Sequence, residues 1–335
     1  VLLLNILFYF PLRYYLKSKS DITTILLCFL VSALYLIFKE IQYYRENSLV
    51  GAVMAYQLAF KSHMNQIVFL VTSVGALILG VSSENKIIRF CLILVAILAL
   101  GALVVSFARA FWLCYALALF ISVFILRNRI RQRFVVYMMI MVVGTVSFGA
   151  ITLKEKAKYF FYMVGNMFES SAKIKTDGSL KYRKFEFDGV KAEIEKHPYS
   201  GSGIDSEFRF LLVSTNNPYY MSLRSPHNSY YYMSFVMGIP MAICFHGFLF
   251  FYLLKIVKYA WLSKEHYLRA YSMIAIAGLA TLLITSTVTS LFIQRDAAVV
   301  GALCIFLASR VEEEYKKSKE KLSEAGQWQL NAQLT

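Results

Sequence analysis

Charged residues and residues that interrupt helices are scarce in this sequence. Of its 335 residues, only 16% are charged and five are proline, while 58% are hydrophobic. A soluble globular chain has about 25% charged and about 45–50% apolar residues. The apolar excess is too large for one buried core and excludes an ordinary soluble domain. Strict alternation of apolar and polar residues is also missing, which excludes an outer-membrane barrel.

The usual motifs of metal and nucleotide chemistry are missing as well. The sequence contains no HExxH, no GxxxxGK[ST], no DxD and no CxxC among its five cysteines. Patterns of this kind hold metal ions or nucleotide phosphates. We therefore predict no metal site and no cofactor. A Ser/His nucleophile stays open, although no GxSxG motif supports it.

The hydrophobic residues come in blocks near the roughly 20 residues that a helix needs to cross a bilayer. Because lipid offers the backbone no hydrogen bonds, such blocks must be helical. We predict an all-α fold, a polytopic transmembrane helical bundle. The predicted spans are 23–39, 64–82, 87–106, 110–126, 134–152, 228–255 and 270–291, with a short span at 297–310 and a remnant at 1–16. Because the remnant starts inside an apolar run, we expect the chain to lack some N-terminal segment.

The net charge of +15 sits mostly in short tracts between these blocks, where it indicates orientation rather than nucleic-acid binding. We predict no nucleic-acid partner. The tracts are Lys17/Lys19, Lys86/Arg89, Arg127–Arg133, Lys255–Arg269 and Arg310–Lys321. One crossing per span puts all five on the same side, which the positive-inside rule makes the cytoplasm.

This topology divides the chain into four parts. They are N-terminal transmembrane helices (1–152), one large extracytoplasmic loop (153–226), C-terminal transmembrane helices (227–310) and a cytoplasmic tail (311–335). A loop of about 75 residues is long enough to carry function. Helical spacing of apolar residues predicts a loop helix over Ser179–Lys196, ended by His197-Pro198. The tail is predicted to be a solvated helix over Glu312–Lys321, followed by disorder.

Two arginines are candidates for chemistry. Arg109 lies in Ser106–Trp112, between two predicted spans, and an ionisable residue at the membrane edge is a functional candidate. The alternative is an arginine that reaches to the interface beside Trp112. Arg183 interrupts the apolar face of the loop helix, where it can face an anion at the membrane surface. Its alternative is an ion pair with Glu186 one turn on.

The segment Ser225-Pro226-His227-Asn228 directly precedes a predicted span. Serine is a good N-cap and proline suits the first helical position, so we expect His227 in the first turn of that helix. A helix N-terminus attracts phosphate and favours a neutral imidazole that can accept a proton. The alternative is a capping histidine without chemistry.

We predict catalytic roles for His227, Arg109 and Arg183. Substrate-binding roles are predicted for Asn228, Arg224 and Arg295. Arg295 belongs to Gln294-Arg295-Asp296, a turn that also suits a simple anchor between two helices. We expect Arg109, Arg183 and His227 to converge at the outer membrane boundary.

The order of these parts resembles the O-antigen ligase and polymerase family over residues 64–310. An arginine between two spans is matched by Ala108-Arg109-Ala110, where the family more often has serine and glycine. An Arg-x-x-x-aromatic helix followed by a His-Pro-Φ-x-Gly-x-Gly turn is matched by Arg183–Phe187 and His197–Gly203. A His-Asn pair that opens a span is matched by His227-Asn228, with Gly238 further on.

The resemblance implies a GT-C-like bundle and an inverting, metal-independent glycosyl transfer. It places the reaction on the outer face of the bacterial inner membrane. The implied partners are the bilayer, a polyprenyl-diphosphate-linked glycan donor, and a lipid A core or growing glycan as acceptor. The two arginines then face the diphosphate, and His227 deprotonates the acceptor or holds the diphosphate.

Three functions stay open at this point. The first is a ligase that moves a finished glycan onto an acceptor. The second is a polymerase that joins repeat units, and the sequence does not reveal the acceptor that separates the two. The third is a transporter or flippase for the same lipid. A transporter needs ionisable residues deep within its spans, and the near absence of such residues favours an enzyme.

Overall fold

The computed structural model describes residues 12, 14, 18–47, 65–106, 109–153, 178–213, 218–287, 289 and 295–334. In these residues it contains ten helices and one hairpin. They are α1 (Lys19–Asn47), α2 (Gln66–Ser82), α3 (Lys86–Val105), α4 (Arg109–Ile125), α5 (Asn128–Leu153), α6 (Gly178–Lys196), β1 (Phe208–Val213), β2 (Pro218–Leu223), α7 (Ser229–Met237), α8 (Ile239–Leu262), α9 (His266–Thr285) and α10 (Arg295–Leu334). The all-α prediction is confirmed. The predicted remnant at 1–16 lies almost entirely outside the described residues.

Four described helices are long and apolar enough to cross a membrane. They are Ser20–Lys39, Lys86–Val104, Ile239–Leu262 and His266–Thr285. The predicted spans at 64–82 and 110–126 correspond to shorter apolar helices, Gln66–Ser82 and Ala110–Ile125. The predicted span at 134–152 lies within α5. The chain is therefore an integral membrane protein built as a helical bundle.

Helix α9 forms the centre of the bundle. It packs on α2, α4, α8 and α10, and 78% of its apolar stretch is buried inside the protein. Helix α2 is buried on almost every side. Its Ser73 hydroxyl lies 2.9 Å from the Tyr115 hydroxyl of α4 and donates a 2.9 Å hydrogen bond to the Ala96 carbonyl of α3. Polar groups inside an apolar bundle must be satisfied by their neighbours, so this cluster fixes the relative height of three helices.

The basic tracts lie together at one end of the bundle, which we call the basic end. The Arg269 guanidinium donates to the Ile125 carbonyl at the last residue of α4. Lys255 forms an ion pair with Glu312 of α10 at 2.6 Å. The Thr23 hydroxyl of α1 lies 3.4 Å from that of Tyr271 in α9.

The remaining basic tract, at the start of α3, lies at the same end. The position of a Cβ on Gly75 would lie 3.3 Å from Ile274, and one on Gly278 would lie 3.4 Å from Val71. Helix α2 therefore runs antiparallel to α9, and its end at Ser82 lies near the start of α9. The basic residues that the structure describes in these tracts therefore cluster at one end of the folded bundle.

The opposite end of the bundle, the loop end, contains the start of α4 and the end of α9. These two helices have 17 and 20 residues, which correspond to about 26 Å and about 30 Å. Since Arg269 ties their other ends together, the backbone of Arg109 lies at the level where α9 finishes.

The predicted span at 228–255 is wrong, because the helix breaks at Gly238. Helix α7 ends at Met237, and α8 begins at Ile239 with Pro240 in its first turn. Gly238 has φ +82° and ψ 159°, a backbone conformation that is open essentially to glycine alone and that does not continue a helix. The crossing segment is therefore Ile239–Leu262, shifted toward the basic end.

Two further expectations are corrected. The tail does not become disordered after Lys321, because α10 continues as one helix to Leu334. The loop region is not built of helices alone, since β1 and β2 form an antiparallel hairpin in which Phe208 pairs with Leu223 and Phe210 with Met221.

Candidate active site

The loop helix α6 forms as predicted and buries one face against the hairpin. Val190 and Ile194 of α6 pack with Phe208 and Phe210 of β1 in a small separate core. Phe235 of α7 closes this core, with its ring 5.7 Å from that of Phe208. The arrangement joins the loop region to α7 and holds it over the loop end of the bundle.

The turn after α6 locks this region to the break between α7 and α8. The backbone N–H groups of Ser202 and Gly203 donate to Phe235 and Val236, whose carbonyls at the end of α7 have no helical partner. The N–H of Ile239 donates to the Pro198 carbonyl at 2.8 Å. The helix break thus exchanges intrahelical hydrogen bonds for bonds to the turn.

Two glycines permit this close backbone approach. A Cβ on Gly238 would lie 2.1 Å from the Tyr199 carbonyl oxygen, and a Cβ on Gly201 would lie 2.5 Å from the Val236 carbonyl. Both glycines have positive φ, so a larger residue would meet backbone strain as well as a collision.

Asn228, not Ser225, caps α7. Its Oδ1 accepts hydrogen bonds from the N–H groups of Tyr230 and Tyr231, and its Nδ2 donates to the Thr287 carbonyl. The predicted first-turn position of His227 is therefore wrong, because His227 lies just before the cap. The buried amide of Asn228 is used to cap α7 and to join it to the end of α9.

His227 is held by Glu186 of α6. The His227 backbone N–H donates to Oε1 of Glu186, and its Nδ1 lies 2.9 Å from Oε2 of the same carboxylate. The Glu186 side chain is fully buried, whereas 47% of the His227 side chain is exposed. An Nδ1–H that donates to a carboxylate leaves the Nε2 of a neutral imidazole as an acceptor. The exposed edge of His227 can then take a proton.

Aromatic rings surround this pair. The Tyr182 ring meets the His227 ring edge-on at 6.2 Å, and Phe187 stacks on Tyr231 at 5.1 Å. Burial raises the pKa of Tyr182, and the neighbouring Glu186 carboxylate raises it further. The Tyr182 hydroxyl therefore stays protonated at neutral pH, and the rings restrict the rotation of His227.

Arg183 lies on α6 one turn before Glu186 and is partly buried. The ion pair with Glu186 that was the alternative reading does not form, because Glu186 is bonded to His227. No described residue forms an ion pair with Arg183. A partly buried guanidinium that forms no ion pair with any described residue is suited to an anionic ligand.

Two candidates are placed only by their backbones. Arg109 is the first residue of α4 and Arg295 the first of α10. Their side chains lie outside the described part of the structure. The Arg109 backbone lies at the loop end, as do Asn228 and Thr287, which are joined by a hydrogen bond. The expected convergence of Arg109, Arg183 and His227 thus stays a prediction.

Two acidic side chains of the protein form ion pairs with Arg224. Its guanidinium forms exposed ion pairs with Asp205 at 2.9 Å and Glu207 at 3.1 Å. The hydrogen bond to Glu207 and the charge of Asp205 raise the pKa of Arg224. The contacts join the two strands at the open end of the hairpin, and the predicted substrate contact of Arg224 stays a prediction.

Sequence reasoning missed the role of Glu186. Its signal was present, since an acidic residue at a face that is otherwise apolar needs a buried partner. That partner could not be read from the sequence, because His227 is 41 residues away.

The family model described as O-Antigen ligase matches residues 94–246. The resemblance to the O-antigen ligase family is confirmed for this segment. No curated protein matches the chain.

The matched segment runs from α3 into α8 and contains Arg109, Arg183, Glu186 and His227. The O-antigen ligase family consists of glycosyltransferase or ligase-type enzymes, and it implies a lipid-linked glycan substrate in a membrane. The match to residues 94–246 supports, in general terms, a membrane glycan transferase of the O-antigen ligase and polymerase type.

Proposed function

We propose that the protein is a ligase that moves a glycan from a polyprenyl-diphosphate donor onto an acceptor hydroxyl. The reaction takes place at the outer face of the bacterial inner membrane, with the loop 153–226 periplasmic and the C-terminus cytoplasmic. The observation that carries this proposal is the Glu186–His227 contact. It presents a half-exposed imidazole at the loop end of the bundle, where a lipid headgroup and a soluble hydroxyl can meet.

The proposed glycosyl transfer requires only the donor, the acceptor and side chains of the protein. The acceptor hydroxyl transfers its proton to Nε2 of His227, and its oxygen forms a bond to the anomeric carbon. The bond from that carbon to the diphosphate oxygen breaks, and its electron pair leaves with the diphosphate. Attack from the face opposite the leaving group inverts the anomeric centre. Glu186 stabilises the imidazolium that forms and keeps it oriented.

The leaving diphosphate requires cations rather than a base. Arg183 lies on the same helix as Glu186, and the backbone of Arg109 lies at the same end of the bundle. A planar guanidinium binds two phosphate oxygens at once. Preorganised cations at a developing negative charge can contribute several kcal/mol of barrier lowering. These two arginines are proposed to bind the diphosphate.

A polymerase uses the same donor chemistry and differs only in its acceptor. With a growing glycan as acceptor, the product is a ladder of repeat numbers, whereas a ligase gives a preformed glycan on a new acceptor. The chain-length pattern of glycans from a deletion strain separates the two. A ladder that shortens to single units on deletion would identify a polymerase.

The experiment that tests the proposal is the replacement His227→Gln in a deletion strain. Glutamine is polar and of similar size but is not a base. We expect glycan transfer to fall by about 10²–10⁴-fold, while the amount of protein in the membrane stays normal. His266→Gln is the matched control, since His266 is exposed at the basic end. Normal transfer by His227→Gln would remove His227 from the reaction.

A further inference from the structure

Two large apolar side chains are exposed on the turn that follows α6. Tyr199 is 82% and Ile204 87% exposed. Both lie on a turn that is held in place, because the backbone N–H groups of Ser202 and Gly203 donate hydrogen bonds to carbonyls at the end of α7. Isolated exposed apolar residues are ordinary on a protein surface. Tyr199 and Ile204, in contrast, lie together on one turn, which backbone hydrogen bonds hold next to a membrane span.

The turn lies directly at the start of α8. The Pro198 carbonyl accepts from Ile239, the first residue of α8, and the Tyr199 carbonyl is in contact with Gly238. Only 22% of the apolar stretch of α8 is buried inside the protein. Ile239, Met241 and Ile243 are among its exposed side chains. The face of α8 that is turned away from α9 and α10 is therefore exposed to lipid, and the turn lies at the start of this helix.

The height of the turn can be estimated from the charges on α8. Lys255 and Lys258 mark the basic end, where Lys255 pairs with Glu312. From Lys258 to Gly238 the helix rises about 30 Å. This equals the hydrocarbon thickness of a typical bilayer, about 30 Å. Gly238 and the bonded turn thus lie at the opposite hydrocarbon boundary.

We propose that this turn is a membrane-surface anchor, in which Tyr199 and Ile204 contact the lipid at the loop end. Tyrosine is enriched at this depth because its ring is apolar and its hydroxyl is polar. The anchor holds α6 at a fixed height above the bilayer through the bonds between the turn and the α7–α8 break. The ligand is the acyl-chain and headgroup boundary of the bilayer itself, not a second protein.

The test measures contact with lipid and uses no activity. The full chain is reconstituted in nanodiscs of ordinary or acyl-brominated phosphatidylcholine, with Tyr199→Trp or Ile204→Trp. Emission from the added tryptophan is obtained by subtracting that of the parent protein. Bromine quenches indole at short range, so we expect both added tryptophans to lose most of their emission.

Lys191→Trp is the control, because Lys191 is exposed on α6 in an ion pair with Glu195. We expect its emission to be the same in both nanodiscs. If Tyr199→Trp and Ile204→Trp behave like Lys191→Trp, the turn faces water or another protein and the anchor is excluded. Because this result is independent of glycan transfer, it leaves the proposed enzymatic activity untouched.

Discussion

Glu186 accepts hydrogen bonds from both the backbone N–H and the Nδ1 of His227, so one buried carboxylate fixes the position and the tautomer of an exposed imidazole. Losing the carboxylate would leave a partly buried backbone N–H without its acceptor, which costs about 1–3 kcal/mol. The contact thus links the stability of the loop region to the chemistry proposed for His227.

Glu186→Gln tests the tautomer. Glutamine retains an oxygen for the backbone N–H, but its NH₂ donates to Nδ1 and moves the ring proton to Nε2. We expect glycan transfer to drop by about 10²–10⁴-fold with near-normal protein in the membrane, measured together in a deletion strain. Glu195→Gln, an exposed position on the same helix, serves as the control. Wild-type transfer by Glu186→Gln would show that the tautomer does not matter.

Arg183→Lys and Arg109→Lys test the diphosphate contacts. Lysine keeps the charge and can also reach the interface, but it cannot bind two phosphate oxygens in a planar fork. We expect transfer to fall about tenfold or more for each variant, and to be abolished in the alanine variants. Lys184→Arg, at an exposed neighbour of Arg183, should be neutral. Full activity of both lysine variants would indicate simple interfacial anchors.

Gly238→Ala and Gly201→Ala test the helix break. Each adds a Cβ against backbone atoms of the opposing segment at a left-handed φ, for which we expect a loss of about 2–4 kcal/mol in the free energy of unfolding. Thermal unfolding of detergent-purified protein measures the change. Gly247→Ala in α8 has open space around the added Cβ and should not destabilise the protein. Equal melting temperatures for all three would contradict the bonded turn.

Cysteine labelling tests the orientation. Glu195→Cys on α6 should react with a membrane-impermeant maleimide in intact cells, whereas Arg129→Cys in the basic tract should react only after permeabilisation. The expectation follows from the clustering of Lys and Arg at one end of the bundle. The parent protein controls for its own cysteines. Labelling of Arg129→Cys in intact cells would reverse the proposed topology.

Much of the architecture is determined by short stretches of sequence. Blocks of apolar residues must become helices in lipid, and the basic tracts collect at one end because each is close to the end of a span. The loop helix follows from apolar residues at helical spacing, and His197-Pro198 ends it because proline restricts the residue before it. Each of these features depends on neighbours within a few turns, so a single sequence suffices to predict it.

Local sequence patterns predicted only part of the candidate site. Arg183 and His227 were chosen from local patterns, and the alternative for Arg183 was an ion pair with Glu186, one turn away on the same helix. Gly238-Ile239-Pro240 contained the signal for a helix break, yet the apolar run around it predicted one continuous span. No strand was predicted at Phe208–Val213, where no secondary structure was assigned from the sequence.

The sequence by itself determined a helical membrane bundle and its charge asymmetry, and it pointed to the arginines that are proposed to bind a diphosphate. Only the tertiary structure decided that Glu186 orients His227, that Asn228 caps α7, and that the turn after α6 satisfies the carbonyls released at Gly238. The physical reason is that buried polar groups must find partners wherever the fold brings them. Those partners lie tens of residues apart, and no local pattern records which of them will meet.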